Sequence, residues 1–436
     1  MKWIVYNLLF AAVYPFLLPG FLARMIRRGG YAKRMGDRFA LYPDDVRAAL
    51  NRPGSPFVWI HAVSVGEVQV AGQLMREWRA AEPGVRFCFS TTSSTGWGMA
   101  QREVAADDVL IYNPLDFPNF AKSALKTVRP RAIVLTESEI WPNLILAARR
   151  QKVPLFLINA RVSDRSAPRY RAARFFFGDV LGGFSRIFAQ SALDRDRLVA
   201  AGAPTDAIEV AGSFKFDVAK RDEAKERELG NWLFGGSGRG EGPCKVLLGG
   251  STWPGEDEVL LGIYRRLLPT APGLRLVIAP RHFEKADAVE ANIVSAGFRC
   301  VRRSRKSDGA VPAAAGQPPS VYLADTTGEL MGLYGIADVV FVGKSLKAHG
   351  SQNMIEPCLC GKPTFVGPYT ENFRPVMSDL LAANAIVQVA DESELETRIG
   401  ACLAGDGGLG ERAMAAVESR RGVVARCVAA IRKALA

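Results

Sequence analysis

The sequence predicts an α/β protein of two doubly wound domains, each a parallel sheet with helices on both faces. Three observations predict it. Short apolar, β-rich runs alternate with longer helical segments along most of the chain, as βαβ units do. The 436 residues exceed what one hydrophobic core usually serves. Between the two sets of runs, KRDEAKERELGNWLFGGSGRGEGP (220–243) passes from charged helix to glycine-rich coil, the mark of a domain boundary.

Residues 1–40 read as a membrane anchor with a basic juxtamembrane segment. WIVYNLLFAAVYPFLLPGFLA (3–23) is apolar apart from Asn7 and long enough to span or deeply enter a bilayer. No small-residue cleavage site follows it, so it is expected to be retained. Lys2 alone precedes it, whereas Arg24, Arg27, Arg28, Lys33, Arg34 and Arg38 follow. That asymmetry places the remainder of the chain in the cytoplasm, facing anionic lipid. Pro15 and Pro19 would kink a regular span, which leaves a shallow insertion or a core helix open as alternatives.

The first domain, 41–222, follows. FVWIHAV, VRFCFST, AIVLTES, PLFLINA and RIFAQS read as strands, with EVQVAGQLMREWRAAEP and WPNLILAARRQK among the intervening helices. A linker, 223–243, leads to the second domain, 244–410, with strands KVLLGGS, LRLVIAP, VYLAD, VVFVGKS and PTFVG. Residues 303–320 read as a polar, Pro/Gly-rich surface loop and 411–436 as a basic amphipathic helix. Two such domains facing a cleft place the chemistry at the carboxyl ends of both sheets.

Composition narrows the function. With 48% hydrophobic and 23% charged residues, a mainly disordered chain is excluded. The seven cysteines are odd in number, and the close pair Cys358 and Cys360 is C-x-C, so they read as reduced core thiols of a cytosolic protein. The net charge of +12 admits an acidic membrane, an anionic substrate or nucleic acid. Three histidines, His61, His282 and His349, argue against a histidine-rich metal site, and no metal is expected. G-x-G-x-x-G, Walker A, H-E-x-x-H and a fitting G-x-S-x-G are absent.

Acids and anion-binding turns remain. VWIHA hands over to SVGEV, so Glu67 stands in or just before the first turn of a helix, with Gly66 expected to turn the backbone tightly and leave room for a substrate. A glutamate there also complements the helix dipole. At IVLTESEIWPNL, Glu137 and Glu139 would share a face if the strand continued, and a turn at Ser138 would separate them; one could face the cleft and serve as acid or base. Asn159, Arg161, Arg165 and Lys215 lie at further strand ends. In the second domain GGSTWPGEDEVLL has the form of a phosphate-holding turn, Arg281 and His282 directly follow a strand, and Thr326 to Glu329 form a second amide-rich turn. HGSQNMIEP forms a third, with Glu356 placed for a ribose. For each turn, a plain helix start is the competing explanation.

Taken in order, WIHAVSVGE, STTSSTG, YNPLDFP, ESEIWPNLI, INARVSDRS, GSFKFD, GGSTWPGEDE, APRH, TTGELMGLYGIAD and HGSQNMIEPCLCGKPTFVGPYTENF resemble the bacterial 3-deoxy-D-manno-octulosonic acid (Kdo) transferase family, from about Tyr31 to near Asp379. The resemblance implies a GT-B glycosyltransferase of two Rossmann-like domains with an N-terminal membrane anchor. It further implies transfer of Kdo from CMP-Kdo to a lipid A precursor at the cytoplasmic face of the inner membrane, in lipopolysaccharide core biosynthesis. By resemblance Glu67 is the general base, Glu137 assists, and Lys215 stabilises the transition state. Pro280, Arg281, Thr327, Gly328, Glu329, Asn353, Met354, Ile355 and Glu356 correspond to CMP contacts, and no cofactor is implied beyond the donor. Where relatives often read GSTHEGEE and HGGHNPIEP, this chain has Trp253, Pro254, Ser351, Gln352 and Met354 at the departing positions, which bears on the shape of the nucleotide pocket. Two rivals stand beside this reading: a membrane-associated GT-B enzyme using another donor, and a non-catalytic basic protein binding membrane or nucleic acid. The crowding of charge beside the anchor argues against nucleic acid.

Overall fold

Both sets of runs become seven-stranded sheets in which every strand pair is parallel. The computed structural model describes residues 2–28, 32–54, 56–218, 221–235, 244–305 and 318–436. It divides into two compact units, Met1–Val218 with Gly422–Ala436, and Ala219–Arg421. In the first unit β1 (Val58–His61), β2 (Phe87–Thr91), β3 (Val109–Tyr112), β4 (Ala132–Thr136), β5 (Leu155–Ala160), β6 (Arg186–Ala189) and β7 (Ile208–Val210) run in the order β3-β2-β1-β4-β5-β6-β7. In the second, β8 (Lys245–Thr252), β9 (Leu274–Pro280), β10 (Arg299–Arg302), β11 (Ser320–Leu323), β12 (Val339–Val342), β13 (Thr364–Val366) and β14 (Val387–Gln388) run β10-β11-β9-β8-β12-β13-β14.

The cores follow from side-chain alternation. In the first sheet Trp59, Ile133, Leu135 and Leu157 enter one buried cluster. Val58, Ile60, Val134, Phe156 and Ile158 enter the other, on the opposite face. Helices cover both faces, so these strands carry continuous apolar runs, the feature that made them readable. The sequence reading passed over β3, β7, β10 and β14. These are short outer strands, and in β7, β10 and β14 most residues are only partly buried or exposed.

Strand order reverses between β1 and β4, and again between β8 and β12. Connections leave such a point in opposite directions and open a crevice at the carboxyl ends of the strands. Each unit therefore offers a site at its own switch point.

The chain ends differ from expectation. Among the described residues no helix is long and apolar enough to cross a membrane. The apolar stretch expected as an anchor lies in α1 (Lys2–Arg28), with Pro15 and Pro19 inside it. One face of α1 packs on the first unit through an aromatic cluster of Trp3, Tyr6, Phe10, Tyr14, Phe117 and Phe176, and Trp3 Nε1 donates to Asp179 at 2.7 Å. The other face leaves Ile4, Leu8, Leu9 and Phe16 exposed. At the far end, the expected single helix over 411–436 is two, Leu409–Glu418 and Val423–Leu435, because Gly422 takes φ +78°. The last helix returns to the first unit, where Val423, Val424, Cys427, Val428 and Ile431 are buried. Asp217 holds its start, accepting from Gly422 N at 2.6 Å and Val424 N at 2.7 Å. The expected linker begins with the helix Glu223–Phe234 of the second unit; its residues 236–243 lie outside the described residues, as do 306–317 of the expected loop.

Candidate active site

The switch point of the first unit collects acids from two strands. Helix Val65–Ala81 leaves β1 with Ser64 as N-cap, and Glu67 stands in its first turn. Ser64 Oγ accepts from Glu67 N at 3.2 Å and donates to Glu67 Oε1 at 3.0 Å. Glu67 Oε2 accepts from Val63 N at 2.9 Å and Thr136 Oγ1 at 3.4 Å. Three bonds thus reach the carboxylate, with a lone pair of Oε1 left over. Burial raises the Glu67 pKa; the Val63 N–H opposes this, the charges of Glu139 and Glu137 reinforce it, and Ser64 opposes it again. Gly66 is helical rather than tightly turned, and a Cβ there would meet nothing within 4 Å, so no close backbone approach requires glycine at this position.

At the end of β4 the chain turns sharply. Glu137 takes φ +50°, uncommon for a residue with a Cβ, and Glu139 N bonds back to Thr136 O at 3.0 Å. The turn at Ser138 separates the two acids. Glu137 is buried and accepts from Arg161 Nε at 2.6 Å and Asn159 Nδ2 at 3.2 Å. Asn159, itself at φ +51°, accepts from Phe214 N at 3.1 Å with Oδ1, so one carboxamide ties Glu137 to the residue before Lys215. Burial lowers the Lys215 pKa, the Glu137 charge raises it and Arg161 lowers it again. Glu139 accepts from Trp141 Nε1 at 3.1 Å and stands 3.7 Å from Nε2 of the fully buried His61, whose Nδ1 lies 2.9 Å from Ser90 Oγ. Arg165 is exposed.

The switch point of the second unit is organised by a residue the sequence reading did not single out. Glu256, fully buried at the start of helix Glu256–Leu267, accepts from Trp253 N and Lys344 N, both at 2.8 Å, and from Leu346 N at 3.0 Å, Ser345 N at 3.1 Å and Lys347 N at 3.4 Å. The amide-rich turn expected to hold phosphate is occupied by the chain's own carboxylate. A Cβ at Gly343 would collide with the Ser251 carbonyl, so only glycine lets the loop after β12 press against the end of β8.

The remaining predicted residues lie at or after the carboxyl ends of β9, β11 and β12 in the same sheet. Pro280 ends β9 and Arg281 is exposed after it, with Arg281 N donating to Thr252 O at 3.0 Å. Asn353 Nδ2 donates to Glu356 Oε1 at 3.0 Å. Burial raises the Glu356 pKa against Asn353 and the charge of Arg281. Met354 and Ile355 turn their side chains into the core, which leaves only their backbones for a ligand. Thr327 and Gly328 are exposed, Gly328 at φ +79°. Burial pulls the Glu329 carboxyl up, but Arg303, Thr326 and Lys225 outweigh it and hold the pKa down; Arg303 lies 3.0 Å away. Trp253 meets the His282 ring edge-on at 5.0 Å, with Lys344 Nζ over it at 5.0 Å. Among the described residues no group of three His, Cys, Asp or Glu side chains is placed to hold a metal ion.

A family model described as 3-deoxy-D-manno-octulosonic-acid transferase (kdotransferase) matches residues 33–218, the stretch that holds Glu67, Glu137 and Lys215. A 3-deoxy-D-manno-octulosonic acid transferase of Bordetella pertussis is 35% identical over 375 residues, covering 83% of each chain. That of Haemophilus influenzae is 30% identical over 374 residues, covering 86% of this chain and 84% of its own. The chain belongs to the Kdo transferase family. As a member it is a glycosyltransferase, and its two parallel seven-stranded sheets are those of a GT-B fold. A solved UDP-GlcNAc 2-epimerase of Neisseria meningitidis, bound to UDP-GlcNAc, shares that fold at 14% identity, with a TM-score of 0.55 over 82% of the transferase and 94% of the epimerase.

Proposed function

We propose that this transferase moves Kdo from CMP-Kdo to a hydroxyl of a lipid A precursor, with inversion at the anomeric carbon. The observation that carries the reading is Glu67, a buried carboxylate of raised pKa at the first switch point, beside two further acids. Glu67 is the general base. It takes the acceptor proton as the acceptor oxygen bonds to the anomeric carbon, while the bond from that carbon to the phosphate oxygen breaks and its electron pair leaves with CMP. Lys215 offsets the charge that grows on the leaving group, and Glu137 assists by holding Arg161 and, through Asn159, the segment before Lys215. In the second unit Pro280, Arg281, Thr327–Glu329 and Asn353–Glu356 take CMP, with Met354 and Ile355 contributing backbone. No cofactor, metal or nucleic acid enters this reading.

The test is transfer from CMP-Kdo to a tetra-acylated lipid A precursor in detergent, read by mass spectrometry, with uridine nucleotides as competitors. Kdo-bearing lipid formed in the presence of uridine nucleotides and suppressed by CMP is the expected result. Absence of both product and CMP binding would overturn the assignment.

Glu139 supports a prediction about pH. Its charge raises the Glu67 pKa, and a base works only when deprotonated, so activity falls as pH drops through that raised value. Glu139→Gln is expected to move the acid limb of kcat/KM to lower pH. A limb that stays in place would remove Glu139 from the tuning of the base.

The apolar outer face of α1 supports association with a membrane in its plane rather than across it, at the cytoplasmic face of the inner membrane. Leu8→Asp with Leu9→Asp is expected to abolish co-sedimentation with anionic vesicles. Retained binding would mean that another surface carries the attachment.

A further inference from the structure

Helix Pro142–Arg150 begins directly after the acid-bearing turn of Glu137 and Glu139, yet its N-cap residue, Trp141, makes no side-chain capping bond. Its first amides are satisfied from elsewhere. Asp116 Oδ2 accepts from Asn143 N and Oδ1 from Leu144 N, both at 3.0 Å, which makes Asp116 a cap supplied from 27 residues upstream. Asp116 and Asn143 are almost wholly buried, and both are held from α1. Tyr6 Oη donates to Asp116 Oδ2 at 3.1 Å, and Asn143 Nδ2 donates to Asn7 Oδ1 at 2.8 Å and to the Asp116 carbonyl at 2.5 Å. Burial and the neighbouring Asp116 raise the Tyr6 phenol pKa, so that it stays a donor. Asn7 is the one polar interruption in the apolar run, and it is aimed inward.

We infer that α1 is a positioning element of the transfer reaction: Tyr6 and Asn7 brace the Asp116–Asn143 node, and the node fixes the start of the helix from which the Glu137–Trp141 turn hangs. The path is short. Trp141, the residue before that helix, donates to Glu139, and Glu139 is one of the charges acting on Glu67. Attachment of α1 to lipid and alignment of the catalytic turn are then properties of one helix, its outer face serving the first and its inner face the second. The inference rests on the proposed role of that turn, and the experiment separates the two.

Tyr6→Phe, Asn7→Ala and the double variant are assayed in detergent with saturating CMP-Kdo and acceptor, where delivery to a membrane plays no part. The double variant is expected to lose about tenfold in kcat, within the roughly 10²-fold that a misplacement of about 1 Å can cost, with KM for CMP-Kdo within about twofold of wild type. Tyr6→Phe is expected to cost little in an Asp116→Asn background, because both act through one carboxylate. If Asp116→Asn does not fold, the kcat of the two single variants and their double carries the test alone. A double variant whose folded fraction keeps wild-type kcat, with only its melting temperature or acceptor KM changed, overturns the brace. Glu137→Gln and Glu139→Gln run alongside: if wild type transfers Kdo and both variants match it, the reading of the turn has failed; if either loses activity while the α1 variants do not, the brace alone has failed.

Discussion

Glu67→Gln is expected to lower kcat by roughly 10²–10⁴-fold while leaving CMP binding intact. Glutamine is the informative substitution because Glu67 has a second job. With Ser64 it ties down the helix start, accepting from Ser64 Oγ and Val63 N, and Glu67→Ala would forfeit bonds worth about 0.5–2 kcal/mol there, confusing loss of chemistry with loss of structure. A glutamine oxygen in the place of Oε2 still accepts from Val63 N and Thr136 Oγ1, and its NH₂ in the place of Oε1 faces Ser64 Oγ, which can accept. The cap survives; the base does not. Stability gives an independent sign. A carboxyl whose pKa is raised by folding binds its proton more tightly in the native state, so its contribution to stability falls as pH rises above the ordinary glutamate range. Glu67→Gln removes that burden, and its melting temperature at pH 7 should equal or exceed that of wild type. A variant of unchanged stability that keeps more than about a tenth of wild-type kcat would reduce Glu67 to a cap.

What could be read in advance, and what could not, divides by the range of the interaction. β1, β4 and β5 were legible because both faces of a parallel sheet are covered, which demands runs such as VWIH and AIVLT. Glu67 was legible because its position depends on Ser64 three residues away. β7, with Ile208, Glu209 and Val210 half-buried or exposed at an edge, carries no such run. Glu256 was hidden because four of its five amides lie in a loop about ninety residues further on: the GGSTWPGEDE turn shows a phosphate-type geometry, and the single local bond from Trp253 N does not tell that a side chain fills it. Asp116 escaped for the same reason. The orientation of the N-terminal helix stays open in the sequence because composition counts Trp3, Tyr6, Phe10 and Tyr14 as apolar whatever they face. Their spacing, with Asn7 among them, was the available sign that one side of the helix rests on protein.

Glu256→Ala is expected to be the most destabilising single change in the second unit. It removes the acceptor for five backbone N–H groups of Trp253 and Lys344 to Lys347 and leaves them in a site whose carboxylate is fully buried. Each group that loses its partner without gaining water costs about 1–3 kcal/mol, and the whole loss should resemble the roughly 3–5 kcal/mol of a broken buried ion pair. With a urea slope of about 1–3 kcal/mol per molar, the transition of this unit moves down by on the order of 2 M. Glu256→Gln should fare little better, since both oxygens face donors and an NH₂ in either place opposes an N–H. What remains in Glu256→Ala is a ring of amides, the concavity that binds anions elsewhere. Sulfate should therefore restore part of the lost stability in Glu256→Ala and do much less for wild type, where the carboxylate already fills the ring. Urea midpoints of Glu256→Ala and wild type that coincide would show that the loop after β12 holds its shape without the carboxylate; a lowered midpoint with equal sulfate response in both would show that the ring collapses when its anion is removed. The expected pattern ties one departing position, Trp253, to the same carboxylate: Trp253 N is one of the five donors, so its backbone is held at the end of β8 by Glu256, through a bond that any non-proline residue at that position would keep.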